Sequence, residues 1–317
     1  MSRDMINPAA ATRTPTTPGH VLAPGDLLAA DTSMDAVTLY VHDIDAMVTF
    51  YTEALALQVL DHAGTESVAA DRRDGVVTIG RGTVPLVVLR HAPDMPRPAR
   101  GSAGLFHTAI LFDTQAALAA TVLRVAEVAP ELYTGSADHL VSEAFYLDDP
   151  EGNGIELYVD RSREEWTWTQ GRVAMDSLAL DPNAFIRTHL TEEVVAAPQE
   201  QKAVVGHVHL QVGDIASARR FYVDTVGFEV TTEMPSALFV SAGGYHHHMA
   251  MNTWGSMGAG PRAVTLGLGE VSIVVPTDDD VAALTDRLAR HAIPTAHDGA
   301  ALTFTDPWKN RIAVSVG

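Results

Sequence analysis

VTLYVHDIDAMVTFYTEALALQVL at 37–60 and VHLQVGDIASARRFYVDTVGFEVT at 208–231 decide the fold. Val37, Leu39, Val41, Asp43, Ile44, Phe50, Tyr51 and Val59 recur as Val208, Leu210, Val212, Asp214, Ile215, Phe221, Tyr222 and Val230, all at an offset of 171. A single offset held over a whole segment marks a duplicated unit. Each copy opens with alternating apolar residues, which predicts a strand. An Asp at a helix start follows, then an amphipathic helix ending near Leu57 or Gly227, then another strand.

A second pair of segments extends the repeat. YLDDPEGNGIELYV at 146–159 and FTDPWKNRIAVSV at 304–316 share Asp-Pro, then Asn, then Ile ahead of a terminal strand. Each follows a strand and a helix, GLFHTAILFDTQAALAATVLRVAEV and GEVSIVVPTDDDVAALTDRLARHAI. The chain therefore divides into four βαβββ modules, at about 35–92, 104–160, 205–254 and 266–317. We expect an α+β protein with a flexible N-terminal arm at 1–32, one two-module domain at 33–160, a linker at 161–203 and a second two-module domain at 204–317.

Composition narrows the chemistry. With 21 basic against 40 acidic residues in 317, the formal net charge is −19, which argues against nucleic acid and anionic membrane as partners and leaves a small molecule. No apolar run approaches the ~18 residues of a membrane span, and the start lacks the apolar core of a signal peptide, so a cytoplasmic location is the default expectation. There is no cysteine, which excludes disulfides, thiolate metal sites and cysteine nucleophiles. Any metal must be held by His, Asp, Glu or Tyr.

With HVHLQVGDIASARRFYVDTVGFEV, DPEGNGIELY and AGGYHHHMAMNTW set in four βαβββ modules, the chain resembles the vicinal-oxygen-chelate superfamily of glyoxalases, bleomycin-resistance proteins and extradiol ring-cleaving dioxygenases. Within it, the likeness is to bacterial two-domain catechol 2,3-dioxygenase-like proteins. The resemblance implies curled sheets around a cleft, with metal ligands on the first and last strands of paired modules. At those positions the second module offers His107 and Glu156, and the third offers His207 with His209 two residues on. The first and fourth modules carry Ala36 and Ala313 there, with Glu270 alone, so the resemblance implies one live site from modules two and three and one lost site from modules one and four.

Two imidazoles and a carboxylate suit Fe(II), then Mn(II), with open positions for a diol and dioxygen; Zn(II) or Ni(II) would fit an isomerase. The resemblance further implies a catalytic histidine in the triplet. If 246–248 is a strand, His246 and His248 share one face and His247 takes the other, and the resemblance implies that His248 is the catalytic histidine, as a base or a fourth ligand. His139 and Tyr146 match substrate-bonding positions, while His209, His246, Asn252 and Trp254 are expected around them. The expected function is an extradiol dioxygenase acting on a catechol-like aromatic diol. A glyoxalase-like isomerase or lyase and a non-catalytic small-molecule binding or resistance protein are the alternatives. Each chain holds both partner modules, so the site requires no second copy, and a homo-oligomer is allowed.

Overall fold

A computed structural model describes residues 26–60 and 75–317. Most of the expected N-terminal arm lies outside the described residues. Its end is not free. Leu28 is buried in the main core and its N–H donates to the Gly227 carbonyl of the third module at 2.9 Å.

After the short β1 (Ser33–Met34), the first module runs β2 (Val37–Val41), α1 (Ile44–Glu53), β3 (Gln58–Val59), β4 (Val76–Arg81) and β5 (Val84–His91). The second runs β6 (Gly104–Phe112), α2 (Gln115–Val128), β7 (Tyr133–Asp138), β8 (Ser142–Asp148) and β9 (Gly154–Asp160). The linker holds β10 (Trp168–Thr169), β11 (Arg172–Val173), α3 (Pro182–His189) and α4 (Glu192–Ala196). The third module has β12 (Ala203–Gln211), α5 (Ile215–Arg219) continuing into a π-helical turn at Arg220–Thr225, then β13 (Glu229–Met234), β14 (Ala237–Ser241) and β15 (Met249–Asn252). The fourth has β16 (Gly267–Val275), α6 (Asp278–Arg290), β17 (Ala296–His297), β18 (Ala301–Thr305) and β19 (Arg311–Val316).

The two aspartates of the repeat do what their position requires. Asp43 accepts from the Ala46 N–H at 3.0 Å and Asp214 from the Ser217 N–H at 2.7 Å, each satisfying one orphan donor of the first helical turn. Alternation on the strands then divides apolar from polar. Ile155, Leu157 and Val159 of β9 enter the main core, while Glu156 and Tyr158 face the other way. The core faces of both sheets share one cluster, from Val37 and Leu39 to Val208 and Leu210. Truncating a side chain buried as Leu210 is would cost about 2–5 kcal/mol.

One sheet runs β13-β14-β15-β12-β6-β9-β8-β7 and the other β17-β18-β19-β16-β2-β5-β4-β3, with β1 against β16. Modules two and three thus share one curled sheet, and modules one and four share the other. The sheets therefore do not coincide with the stretches 33–160 and 204–317, since each draws one module from either side of the linker. Buried hydrogen bonds run the other way. Tyr51 of α1 donates to Asp149 of the second module at 3.3 Å, and Tyr222 of the third module donates to Asp306 of the fourth at 3.0 Å. In each Asp-Pro turn the same carboxylate also accepts from the side-chain amide of Asn153 or Asn310 at 2.8 Å, which accounts for the shared Asp-Pro-x-x-Asn spelling.

Candidate metal centre and cleft

The seam of the sheet shared by modules two and three is where β6 and β12 run antiparallel, and its register is broken twice. Val205 lies opposite Ile110 but His207 lies opposite Ala109, so Gly206 is an extra residue. This bulge changes the parity of the strand. Ala203 and Val205 enter the core before it, Val208 and Leu210 after it, and His207 and His209 turn to the concave face. Only glycine fits: a Cβ at 206 would lie 1.8 Å from the Tyr158 hydroxyl. A second bulge, between the His209–His107 and Leu210–Leu105 pairs, leaves Phe106 as the extra residue and a wall of the cleft.

Across this seam stand His107 on β6, Glu156 on β9 and His207 on β12. Ala109 is the register partner of both Glu156 and His207, and its small side chain leaves room between them. One ligand atom from each of the three residues lies within 4.8 Å of the others, and all three residues are buried. His107 Nε2 and His207 Nε2 approach the same Glu156 Oε2, at 3.0 and 3.1 Å. His207 is placed to hydrogen-bond it, whereas the buried His107 Nε2 has no hydrogen-bond partner. A buried nitrogen left without a partner beside a carboxylate is costly in a bare protein and is met when a cation sits between them. The donor set therefore fits a divalent metal.

Charge states agree with that fit. Burial alone would raise the Glu156 carboxyl, but the His207 imidazole that faces it, with His107 close by, outweighs burial and holds it well below the usual carboxylate range. Burial brings His207 down to about 4, against the pull of Glu156, so its ring is neutral at pH 7 and offers a lone pair. At the corresponding seam of the other sheet, Thr38 faces Glu270, whose carboxylate is taken by Arg311, and Ala313 is small and apolar. Among the described residues, no second cluster of three metal-capable side chains occurs.

His107 and Glu156 border a cavity of about 750 Å³, with His207 buried behind them against Glu156. Phe106, Phe239, Trp254, Met175, Leu147 and Ile155 make its sides largely apolar. His209 also borders it, its ring centroid 5.0 Å from Phe106 and 5.5 Å from Trp254, with its Nε2 3.0 Å from the Asn252 amide nitrogen. Burial holds His209 well below the ordinary imidazole value, so it is neutral. On the opposite wall, His139 Nδ1 lies 2.6 Å from the Asp176 carbonyl, which only accepts, so this nitrogen carries the proton. Its Nε2 then accepts from the Tyr146 hydroxyl, 2.6 Å away. Burial first, and then the Glu156 charge, push the Tyr146 pKa well above 10, keeping that hydroxyl protonated.

The triplet differs from expectation. β15 begins only at Met249, and residues 242–248 form an irregular turn entered through Gly243 and Gly244, at φ 62° and 69°. Strand alternation therefore does not apply to it. His247, expected to face away, borders the cleft with its ring centroid 4.0 Å from that of His207. His248, expected to face inward, lies against Tyr245 at 5.0 Å, and its Nδ1 accepts from the Ala242 N–H at 3.2 Å. His246 is fully buried between His247 Nδ1, at 2.7 Å, and Asp160 Oδ1, at 2.8 Å. Sequence reasoning passed over Asp160, although it follows Glu156 and Tyr158 at period two on β9 and so shares their face.

The residues 33–157 and 204–314 match the family model of the Glyoxalase/Bleomycin resistance protein/Dioxygenase superfamily, and the chain belongs to that superfamily. Its role is dioxygenase-like or glyoxalase-like. The catechol-2,3-dioxygenase of Bacillus subtilis (strain 168) is 33% identical over 267 residues, covering 83% of this chain and 89% of the relative. Two solved structures are similar in fold. One, from Bacillus subtilis subsp. subtilis str. 168 and provisionally named a dioxygenase, has a TM-score of 0.60 at 13% identity, covering 92% of this chain and 86% of that one. The other, glyoxalase I from Zea mays, has a TM-score of 0.53 at 13% identity, covering 90% and 92%.

Proposed function

We propose that the protein is an extradiol dioxygenase that opens the ring of a catechol-like aromatic diol with Fe(II) or, next, Mn(II). The observation that carries the reading is the convergence of His107, His207 and Glu156 on one point at the edge of an apolar, ring-sized cleft. The 33% identical Bacillus relative supports the reaction class. When bound, the metal supplies Lewis acidity and open positions at which both oxygens of a diol can meet dioxygen.

The chain's own groups account for the rest. Phe106, Phe239 and Trp254 hold the ring by its faces and edges and exclude water from it. Tyr146 keeps a proton on its hydroxyl, pointed along the cleft wall and backed by His139. His247, rather than His248, is the triplet imidazole within reach of substrate, suited to taking the diol proton. The three-residue donor set, with no carboxylate as a fourth member among the described residues, favours the diol reading over a glyoxalase-like isomerase.

The test is oxygen uptake by protein loaded anaerobically with Fe(II), given a panel of substituted catechols. Stoichiometric oxygen consumption with a yellow ring-opened product is expected. Metal-replete protein that consumes no oxygen with any diol overturns the reading.

A further inference from the structure

A line of hydrogen bonds leads away from the cleft through groups to which no role has yet been given. Asp160, half-buried at the end of β9, accepts from the Tyr245 hydroxyl at Oδ2 (2.9 Å) and from His246 Nε2 at Oδ1 (2.8 Å). Tyr245 has one proton and gives it to Asp160, so the 2.7 Å contact with Tyr158 is a bond donated by Tyr158. The carboxylate can only accept, and His246 must therefore carry a proton on Nε2. The His246 ring has no solvent exposure and stands in ring contact with His207 and His247, so its two nitrogens have only Asp160 and His247 to bond. A neutral His246 protonated on Nε2 has a lone pair on Nδ1. The 2.7 Å contact with His247 Nδ1 is then a bond donated by His247. With its one proton committed to Nδ1, a neutral His247 presents a bare Nε2. That nitrogen makes no hydrogen bond to any described residue, and its ring borders the cleft.

We propose that Asp160, acting through His246, is a positioning residue that fixes His247 as the Nδ1–H tautomer with its unprotonated Nε2 turned to the substrate. The arrangement has the logic of a carboxylate orienting a catalytic imidazole, with one further imidazole inserted between them. The carboxylate need not gain a proton. It selects which nitrogen of the cleft imidazole is free to accept one, and Tyr245 and Tyr158 hold the carboxylate in place. The part of this inference that concerns turnover rests on the dioxygenase reading, whereas the tautomer does not.

The test separates the two. Full-length, metal-free protein labelled with ¹⁵N-histidine is examined by long-range ¹H–¹⁵N correlation, with His246 and His247 assigned from the signals lost in His246→Gln and His247→Gln. Wild-type His247 is expected to show a protonated Nδ1 and a bare Nε2. Asp160→Ala should return it to a mixture of tautomers, while Tyr245→Phe, which keeps the Asp160–His246 bond, should leave it unchanged. In the Fe(II)-loaded enzyme, Asp160→Ala should lower kcat by about tenfold or more, a share of the 10²–10⁴ that a positioned acid or base supplies, with KM little moved. A wild-type His247 carrying its proton on Nε2 overturns the proposal without any Asp160 variant having to fold. So does an unchanged tautomer in Asp160→Ala, or an equal change in Tyr245→Phe. Failure of every diol to consume oxygen would remove the reaction and leave the tautomer result standing.

Discussion

Tyr222 donates its hydroxyl to Asp306 at 3.0 Å, and its repeat counterpart Tyr51 does the same to Asp149 at 3.3 Å. Both bonds join a helix of one module to the Asp-Pro turn of the next, between modules whose strands lie in different sheets. Each therefore fastens one sheet to the other. Tyr222→Phe and Tyr51→Phe should each cost about 1.5–3 kcal/mol, the range for a bond to a charged acceptor. Denaturant unfolding monitored by circular dichroism measures this, and variants equal to wild type would show the bonds to be dispensable.

Burial raises Asp149 from 3.8 to about 6, against the opposing bonds from Asn153. The folded state thus holds this proton more tightly than the unfolded chain. Its contribution is full below pH ~4 and is lost as pH rises through about 6. Asp149→Asn does not titrate. Comparing the two proteins between pH 4 and 7, wild type should lose ground to the variant by no more than roughly 3 kcal/mol, two units at 1.36 each. A stability difference that stays constant over this range would contradict the raised value.

Glu156→Gln replaces an anionic ligand with a neutral amide. Metal affinity should fall by more than ~100-fold, beyond the 10–100-fold typical of an outer hydrogen-bond partner. Wild type should hold one equivalent of divalent metal per chain, because Arg311 occupies Glu270 at the opposite seam. Elemental analysis decides both points, and two equivalents would mean the second seam is live.

Gly206→Ala puts a methyl group where the Tyr158 hydroxyl now lies. Overpacking of this kind costs about 1–3 kcal/mol. Because Tyr158 also packs on His207, with centroids 4.8 Å apart, metal affinity should fall together with stability. Adding Tyr158→Phe removes the clashing oxygen and should recover part of both; a strictly additive double variant would place the strain elsewhere.

Tyr146→Phe keeps the ring and removes the proton that His139 accepts. Metal content should be unchanged and kcat should fall 10–100-fold. Steady-state oxygen uptake beside metal analysis separates this outcome from a simple loss of the metal.

Much of the architecture was legible because duplication repeats its own constraints. Asp43 and Asp214 announce two helix starts, and the Asp-Pro-x-x-Asn turns announce two terminal strands, so the modules could be counted before any contact was known. The orientation of the triplet was not legible. Period-two reasoning holds only inside a ladder, and the left-handed backbone of Gly243 and Gly244 delays that ladder until Met249. The bulge at Gly206 hid the parity change on β12 in the same way, since the clash that demands glycine comes from Tyr158, nearly fifty residues earlier in the chain. Asp160 carried a readable signal in its spacing from Glu156, but the partner that gives it meaning, His246, approaches from the irregular turn ahead of β15.

His107 and Glu156 precede the linker and His207 follows it, on one sheet assembled from both sides of that boundary. Neither stretch of polypeptide owns a complete ligand set. A nick in the linker would leave two fragments that regain metal only by reassociating, so bound metal would report directly on the reunion of the fragments. By the same logic, a gene for this protein could not be separated into two independent catalytic halves, however alike their sequences look.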